Sequence, residues 1–429
     1  MSSLFGLPVV QPEELGFSPE RLQRLNFMAE EYIGRGDVPC IITLVVRNDK
    51  VAHFNIAGMM DLESGKPVRK DTIFRMYSMT KPITAVAVLK LQEEGELKLS
   101  DPVSKYIPAF KNLLVIDSNP SREQSITARP FGLTLVPANR EITIQDCLTN
   151  TTGLAFPAKT PIALFNSDYQ AALGGTVFLP SNGDSTTSLT MLERMEHLAK
   201  LPLSFQPGTA WEYGMSISLA GVLVEMISGM TLDDFFKDHI FKPLNMNDTS
   251  FYLSEDQIDR LSTCYALVNK DGQWGIDAVD YPKNSVKVKG PYNIFDGGGE
   301  MGGVLSTLAD YTRFVRMLFN NGELEGARIL RHESVESMRN NHTGDIFISL
   351  RGHGFSSGLA VGVRTKSING VANSSVGQYG WGGAAGTQFL IDPDEKLFAL
   401  LFTQVLNQMI KPDFTLKWDF ERFIYDALL

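Results

Sequence analysis

Strand-forming runs lie at both ends of this chain, with a long helix-rich stretch between them, and this arrangement limits what the sequence can build. Near the amino end, Ile41-Ile42-Thr43-Leu44-Val45-Val46 and Val51-Ala52-His53-Phe54-Asn55-Ile56-Ala57 flank the turn-forming tetrad Arg47-Asn48-Asp49-Lys50, a hairpin pattern. Near the other end, Phe355 to Val363, Gln378 to Trp381, Thr387 to Ile391 and Leu397 to Thr403 read as short strands, with Asp392-Pro393-Asp394-Glu395 as the last turn. Leu22, Leu25, Met28 and Ala29 recur at helical spacing within Pro19 to Gly34, and a closing helix is expected from about Asp413 to Leu428. Strands from both termini around a helical middle predict an α+β fold, one antiparallel sheet flanked by helices with an inserted helical lobe. At 429 residues the chain exceeds what one core usually organises. We expect residues 1–78 and 213–429 to form the sheet lobe, 79–212 the mainly helical lobe, and the cleft between them to hold the ligand.

Charge and composition narrow the function. The 39 basic and 49 acidic side chains leave a formal charge of -10, with no Lys/Arg-rich block to hold a nucleic acid. An apolar fraction of 43% is that of a folded chain. The amino terminus lacks a basic n-region, and the longest apolar stretches, such as Leu397 to Leu406, reach about half of the ~20 residues needed to span a bilayer. These readings predict a cytoplasmic protein with no membrane association. Cys40, Cys147 and Cys264 are far apart and in apolar contexts, as small buried hydrophobes are. No histidine pair has zinc-site spacing, so neither a metal nor a cofactor is expected. Ser181 to Ser188 is a polar loop candidate.

The segment Pro82 to Leu91 is apolar nearly all round and stops at Gly95, as a buried helix does. Pro82 belongs in a first turn, which puts the helix start at or just before Ser78-Met79-Thr80-Lys81. One turn brings residues three apart onto one face, so the Lys81 amine can reach the Ser78 hydroxyl, as a base must reach its nucleophile. A helix start also leaves the Ser78 amide N–H available to an oxyanion. The tetrapeptide alone would arise about once by chance in this length, and a capping serine before a surface lysine explains it equally well. Two further motifs compete. Gly354-Phe355-Ser356-Ser357-Gly358 has the letters of a nucleophile elbow, but Leu359 to Val363 reads as a strand where an elbow needs a helix. Gly297-Gly298-Gly299-Glu300-Met301-Gly302 has the letters of a dinucleotide fingerprint without its flanking strand, and reads better as a flexible loop beside the site.

Several separated blocks share one resemblance. Thr72 to Pro82 with Leu97-Lys98-Leu99-Ser100-Asp101-Pro102-Val103 is similar to the nucleophile region of class C β-lactamases and family VIII carboxylesterases. Leu148-Thr149-Asn150-Thr151-Thr152-Gly153-Leu154, Pro207 to Gly214, Gly303 to Tyr311 and Tyr379 to Thr387 resemble later blocks in the same order, across roughly Pro19 to Ile410. The resemblance implies a β-lactamase/DD-peptidase-like fold with Ser78 as acyl-accepting nucleophile and Lys81 as its base. It implies Tyr213 as the group that passes a proton to the leaving oxygen, a role that a nearby cation makes physically sensible by favouring the phenolate. By alignment the amide N–H groups of Ser78 and Ala384 would form the oxyanion hole, with Trp381, Gly382 and Gly383 lining the substrate.

Two departures bear on substrate. The lactamase Lys-Thr-Gly strand is replaced by Trp381-Gly382-Gly383, so a cation for a substrate carboxylate gives way to an apolar indole wall. The lactamase Tyr-x-Asn becomes Tyr213-Gly214-Met215, losing an amide. Both point to a serine carboxylesterase acting on small-molecule esters rather than an efficient β-lactamase, and the resemblance implies esters of short to medium acyl chain. A weak β-lactamase, a D-amino-acid peptidase and an acyltransferase are the alternatives on the same nucleophile, and a non-enzymatic binding module is disfavoured by the intact Ser78, Lys81 and Tyr213.

Overall fold

The computed structural model describes residues 3–117, 133–156, 166–173, 189–285, 296–298, 303–367 and 374–429. The candidate loop Ser181 to Ser188 lies outside them. An eight-stranded antiparallel sheet is assembled from both ends of the chain, in the spatial order Phe355–Ser357, Gly362–Arg364, Tyr379–Gly382, Gln388–Asp392, Leu397–Phe402, Cys40–Arg47, Lys50–Asp61 and Lys66–Pro67. The termini join where Leu397–Phe402 pairs with Cys40–Arg47, in the register Phe398 to Val46 and Leu400 to Leu44.

Helices cover both faces of this sheet, which explains why its central strands are apolar runs without alternation. Ile42, Leu44, Val46, Phe398, Leu400 and Phe402 face the larger core, while Ile41, Val45, Ala399 and Leu401 face a second one. The second core is closed by Arg24–Gly34 and Leu416–Asp426 through Leu25, Met28, Phe420 and Ile424. The larger one receives Thr80–Glu93, Ser216–Ser228 and Leu308–Phe319. Full burial of each large apolar side chain stabilises the fold by roughly 1.5–3 kcal/mol before entropy is counted. Thr80 to Val88 are buried without interruption, so Thr80–Glu93 is a core helix, as its uniform apolarity predicts.

The amino-terminal hairpin forms as expected, closing on Asn48 and Asp49 with φ of 51° and 55°, the left-handed pair that a two-residue turn requires. Two expectations need correction, and one element was not expected. The segment Phe355 to Val363 is a hairpin rather than one strand, because Gly358 to Val361 turn back with Ala360 at φ 60°. Helix Pro19 to Gly34 breaks at Gln23 into Pro19–Leu22 and Arg24–Gly34. A further hairpin, Cys264–Lys270 with Gln273–Asp280, joins Val405–Leu406 in a three-stranded sheet that the sequence reading did not anticipate.

Among the described residues no single helix is long and apolar enough to cross a membrane. One bent pair, Ser216–Ser228 with Leu232–Phe241 at 84°, reaches that length, and the first of these helices lies in the core. All three cysteines are buried as free thiols, and burial pushes Cys40 up to about 12 and Cys264 to about 11.

Candidate active site

The nucleophile segment begins on Ile73–Arg75, which pairs antiparallel with Leu305–Thr307 and places the block from Gly303 to Tyr311 beneath it. The Met76 amide donates to the Val304 carbonyl at 2.9 Å, and the Val304 amide donates to Thr80 Oγ1 at 3.0 Å. Tyr311, fully buried, donates its hydroxyl to the Met79 carbonyl at 2.8 Å. Beside it, Arg75 makes a buried ion pair with Asp280 at 2.7 Å and donates to the Ser262 carbonyl at 2.6 Å. This scaffold over-determines the backbone at Tyr77, whose φ of 45° is a strained value for an aromatic residue and turns Ser78 out of the strand direction. Tyr77–Met79 is one 3-10 turn, and Thr80–Glu93 continues it as α-helix. The expected helix start is therefore present, with Ser78 in the turn that opens it.

Ser78, Lys81 and Tyr213 meet at this point. Lys81 donates from Nζ to Ser78 Oγ at 3.3 Å, and Ser78 Oγ lies 2.5 Å from the Tyr213 hydroxyl. The Lys81 ammonium also sits 4.6 Å from the Tyr213 ring centre and donates to the carbonyl of Gly298. Residues 296–298 reach the lysine because Gly221 and Gly297 let helix and loop backbones touch; a Cβ on Gly297 would lie 3.0 Å from Gly221 Cα and from Thr84 Oγ1. Thr84 donates to the Gly297 carbonyl at 2.6 Å, and Asp296 accepts from Ser218 Oγ at 2.6 Å and from the Gly298 amide at 3.0 Å. The glycine run that reads as a loop beside the site thus contributes a carbonyl to it, a contact the sequence reading missed; Gly299 to Gly302 lie outside the described residues.

Tyr213 is held by the loop Asn150 to Phe156. The Phe156 amide donates to the Tyr213 carbonyl at 3.1 Å, and the amides of Glu212 and Met215 donate to Asn150 at 3.2 Å and Leu154 at 3.1 Å. Gly214 is dictated by this pairing, since a Cβ there would lie 1.9 Å from the Leu154 carbonyl oxygen. The Leu148 to Leu154 block therefore acts by fixing the tyrosine backbone, a role with no local signature. Aromatic rings enclose the phenol: Phe156 and Trp211 tilt against it at 6.0 and 6.2 Å, and Trp381 stacks at 6.4 Å with 17° between planes.

Trp381 and Gly382 end Tyr379–Gly382, and the following turn carries Gly383 and Ala384. A Cβ on Gly383 would lie 2.4 Å from the Met76 carbonyl oxygen, so only glycine lets this turn press against the backbone two residues before Ser78. Among the described residues the amide N–H groups of Ser78 and Ala384 have no acceptor. Ser356, by contrast, lies fully buried within Phe355–Ser357, bonded to Thr343 Oγ1 at 2.9 Å and to Asn341, on a hairpin with no helix after it. A hydroxyl in contact with both an amine and a phenol, at the opening of a helix, can attack a carbonyl.

The family model described as Beta-lactamase matches residues 25–420. A Mycobacterium tuberculosis protein described as uncharacterized is 33% identical over 374 residues, covering 85% of each chain. Esterase EstB of Burkholderia gladioli is 26% identical over 391 residues, covering 89% of each. The structure of EstCE1, described as a hydrolase with promiscuous acyltransferase activity, superposes with a TM-score of 0.73 at 22% identity, over 95% of this chain and 99% of that one. The chain belongs to the beta-lactamase family, with the α+β fold of the penicillin-binding proteins, a scaffold that carries serine hydrolases and acyltransferases.

Proposed function

We propose that this protein is a carboxylesterase of the family VIII type that cleaves uncharged esters of short to medium acyl chain through an acyl-enzyme on Ser78. The observation that carries the reading is the contact of one hydroxyl with both Lys81 and Tyr213. Lys81 serves as base for the Ser78 proton, directly or through Tyr213, while Ser78 Oγ bonds to the ester carbonyl carbon. The oxyanion lies between the amide donors of Ser78 and Ala384. As the tetrahedral intermediate collapses, the bond to the alcohol oxygen breaks and Tyr213 supplies its proton. Water, deprotonated by the same pair, then attacks the acyl carbon and returns Ser78 with release of the acid.

The indole of Trp381 and the rings of Phe156 and Trp211 support the choice of an uncharged ester, because they give the site aromatic walls. The likeness to EstB, named an esterase, supports ester cleavage as the reaction. The acyltransferase activity named for EstCE1 motivates a second reading, in which an alcohol replaces water in the last step. The sheet lobe and the helical segment between residues 79 and 212 would enclose the ester between them.

Initial rates on p-nitrophenyl butyrate, nitrocefin and a D-alanyl amide test the assignment. Ester cleavage is expected to dominate; nitrocefin turnover outpacing it would overturn the substrate class. Addition of a simple alcohol distinguishes transfer, as ester formation at the expense of acid.

A further inference from the structure

A buried guanidinium lies behind the wall of the site. Arg351, 7% exposed, donates from one terminal nitrogen to the Gly380 carbonyl at 2.5 Å. Its guanidinium carbon is 5.4 Å from the Trp381 ring centre and 5.5 Å from that of Phe355. The space it fills is made by Gly362, which pairs with Gly380 across the sheet; a Cβ on Gly362 would lie 2.6 Å from Arg351 Nε. On its far side the guanidinium approaches Glu421 of Leu416–Asp426 at 3.9 Å. Two more basic side chains share this region: Arg364, whose guanidinium lies over Phe355 at 4.7 Å, and Lys417, whose ammonium is pushed down to about 7 by burial and then by the Arg351 charge. Burial acts against the charge on Arg351, and the Glu421 carboxylate offsets part of that cost.

We infer that Arg351 is a positioning residue for catalysis, holding Trp381 and the strand that leads to Ala384 in place for Tyr213 and Ser78. The contacts run without a break from Glu421 through Arg351 to Trp381, then by ring stacking to Tyr213 and by hydrogen bond to Ser78. The guanidinium constrains the indole twice, through the Gly380 carbonyl one residue before it and through the ring itself. Without it, Trp381 loses a cation packed against its ring, and the turn at Gly383 and Ala384 loses a tether on the strand that feeds it. The inference rests on the Ser78 reading and assigns a residue that touches no substrate atom.

The test compares Arg351→Met with wild type on p-nitrophenyl butyrate, with rates expressed per site titrated by an organophosphonate, so that unfolded protein is not counted. The expected result is a loss of roughly tenfold to a hundredfold in kcat per titrated site with KM changed far less, the signature of misplacement rather than lost binding. Arg351→Lys should recover part of the loss. In a Trp381→Ala background the Arg351→Met effect should shrink, since the part carried through the indole is already lost. Gly362→Ala displaces the guanidinium from the sheet side and should reproduce the kcat loss, which keeps the test intact if Arg351→Met fails to fold. A wild-type kcat per titrated site in either variant, or equal Arg351→Met losses with and without Trp381, would overturn the inference. Failure of the Ser78 reading would show separately, as wild-type protein that takes no phosphonate on Ser78.

Discussion

Replacing Gly383 by alanine adds one methyl group where the turn carrying Gly383 and Ala384, the proposed oxyanion turn, presses against the segment leading to Ser78. The new Cβ would meet the Met76 carbonyl oxygen at 2.4 Å and Thr387 Oγ1 at 2.4 Å, where ordinary contact begins near 3.4 Å. The threonine hydroxyl can rotate away, but the Met76 carbonyl belongs to the backbone that leads into Ser78. The turn must therefore retreat by on the order of 1 Å, carrying the Ala384 amide with it. Gly383 does not have a left-handed φ, so the effect is steric rather than conformational. A displacement of this size costs about a hundredfold in kcat, or about 2.7 kcal/mol of transition-state stabilisation. Overpacking should also lower stability by about 1–3 kcal/mol. Steady-state kinetics on p-nitrophenyl butyrate, with thermal melts to confirm folding, read both effects. Gly382→Ala is the internal control, because its Cβ would stand 3.2 Å from the Thr387 carbonyl oxygen and should cost much less. A folded Gly383→Ala protein with wild-type kcat would refute the claim that this contact places an oxyanion donor.

Three further outcomes follow from the structure. Lys81→Ala and Tyr213→Phe should each lose orders of magnitude in kcat with smaller changes in KM, and an effect confined to KM would make the residue a binding group. Asp280→Ala strands the buried Arg75 guanidinium and should cost about 3–5 kcal/mol in urea unfolding; a loss below 1 kcal/mol would contradict the weight given to that pair. His53, bonded to Thr43 at 2.8 Å within the amino-terminal hairpin, is pushed by burial from 6.5 to about 4. The unfolded chain then binds its proton first, so this contribution is complete above about pH 6.5 and falls by up to about 3 kcal/mol as pH drops to 4. His53→Gln should flatten that acid limb, and an unchanged slope between pH 4 and 6.5 would remove His53 as its source.

What the sequence revealed and what it hid follow from the range of the interactions. Asn48 and Asp49 mark the amino-terminal hairpin because turn chemistry is local, and Cys40 to Val46 are buried without alternation, apolar but for Thr43, because both faces of the sheet are covered. The opening of the nucleophile helix was legible for the same reason, since Pro82 and the i,i+3 spacing act within one turn. Local signals also misled: Phe355 to Val363 looks like one strand until the Ala360 amide is seen donating to the Leu148 carbonyl at 2.7 Å, a contact that bends the segment into a hairpin. The hairpin Cys264–Lys270 with Gln273–Asp280 escaped notice because its second strand is mostly half-buried and alternates poorly. Arg75 and Asp280 are 205 positions apart, and nothing near either one announces the other. The Gly298 carbonyl on Lys81 and Arg351 behind Trp381 are equally non-local and carry no spacing that a sequence could display.

Intact-mass analysis after reaction with an organophosphonate, followed by peptide mapping, addresses the chemistry at its source. One phosphonyl group per chain, on Ser78 and absent from the Ser78→Ala protein, is the expected result. A label on Ser356 or any other residue, or a protein that cleaves esters while Ser78 stays unmodified, would contradict it.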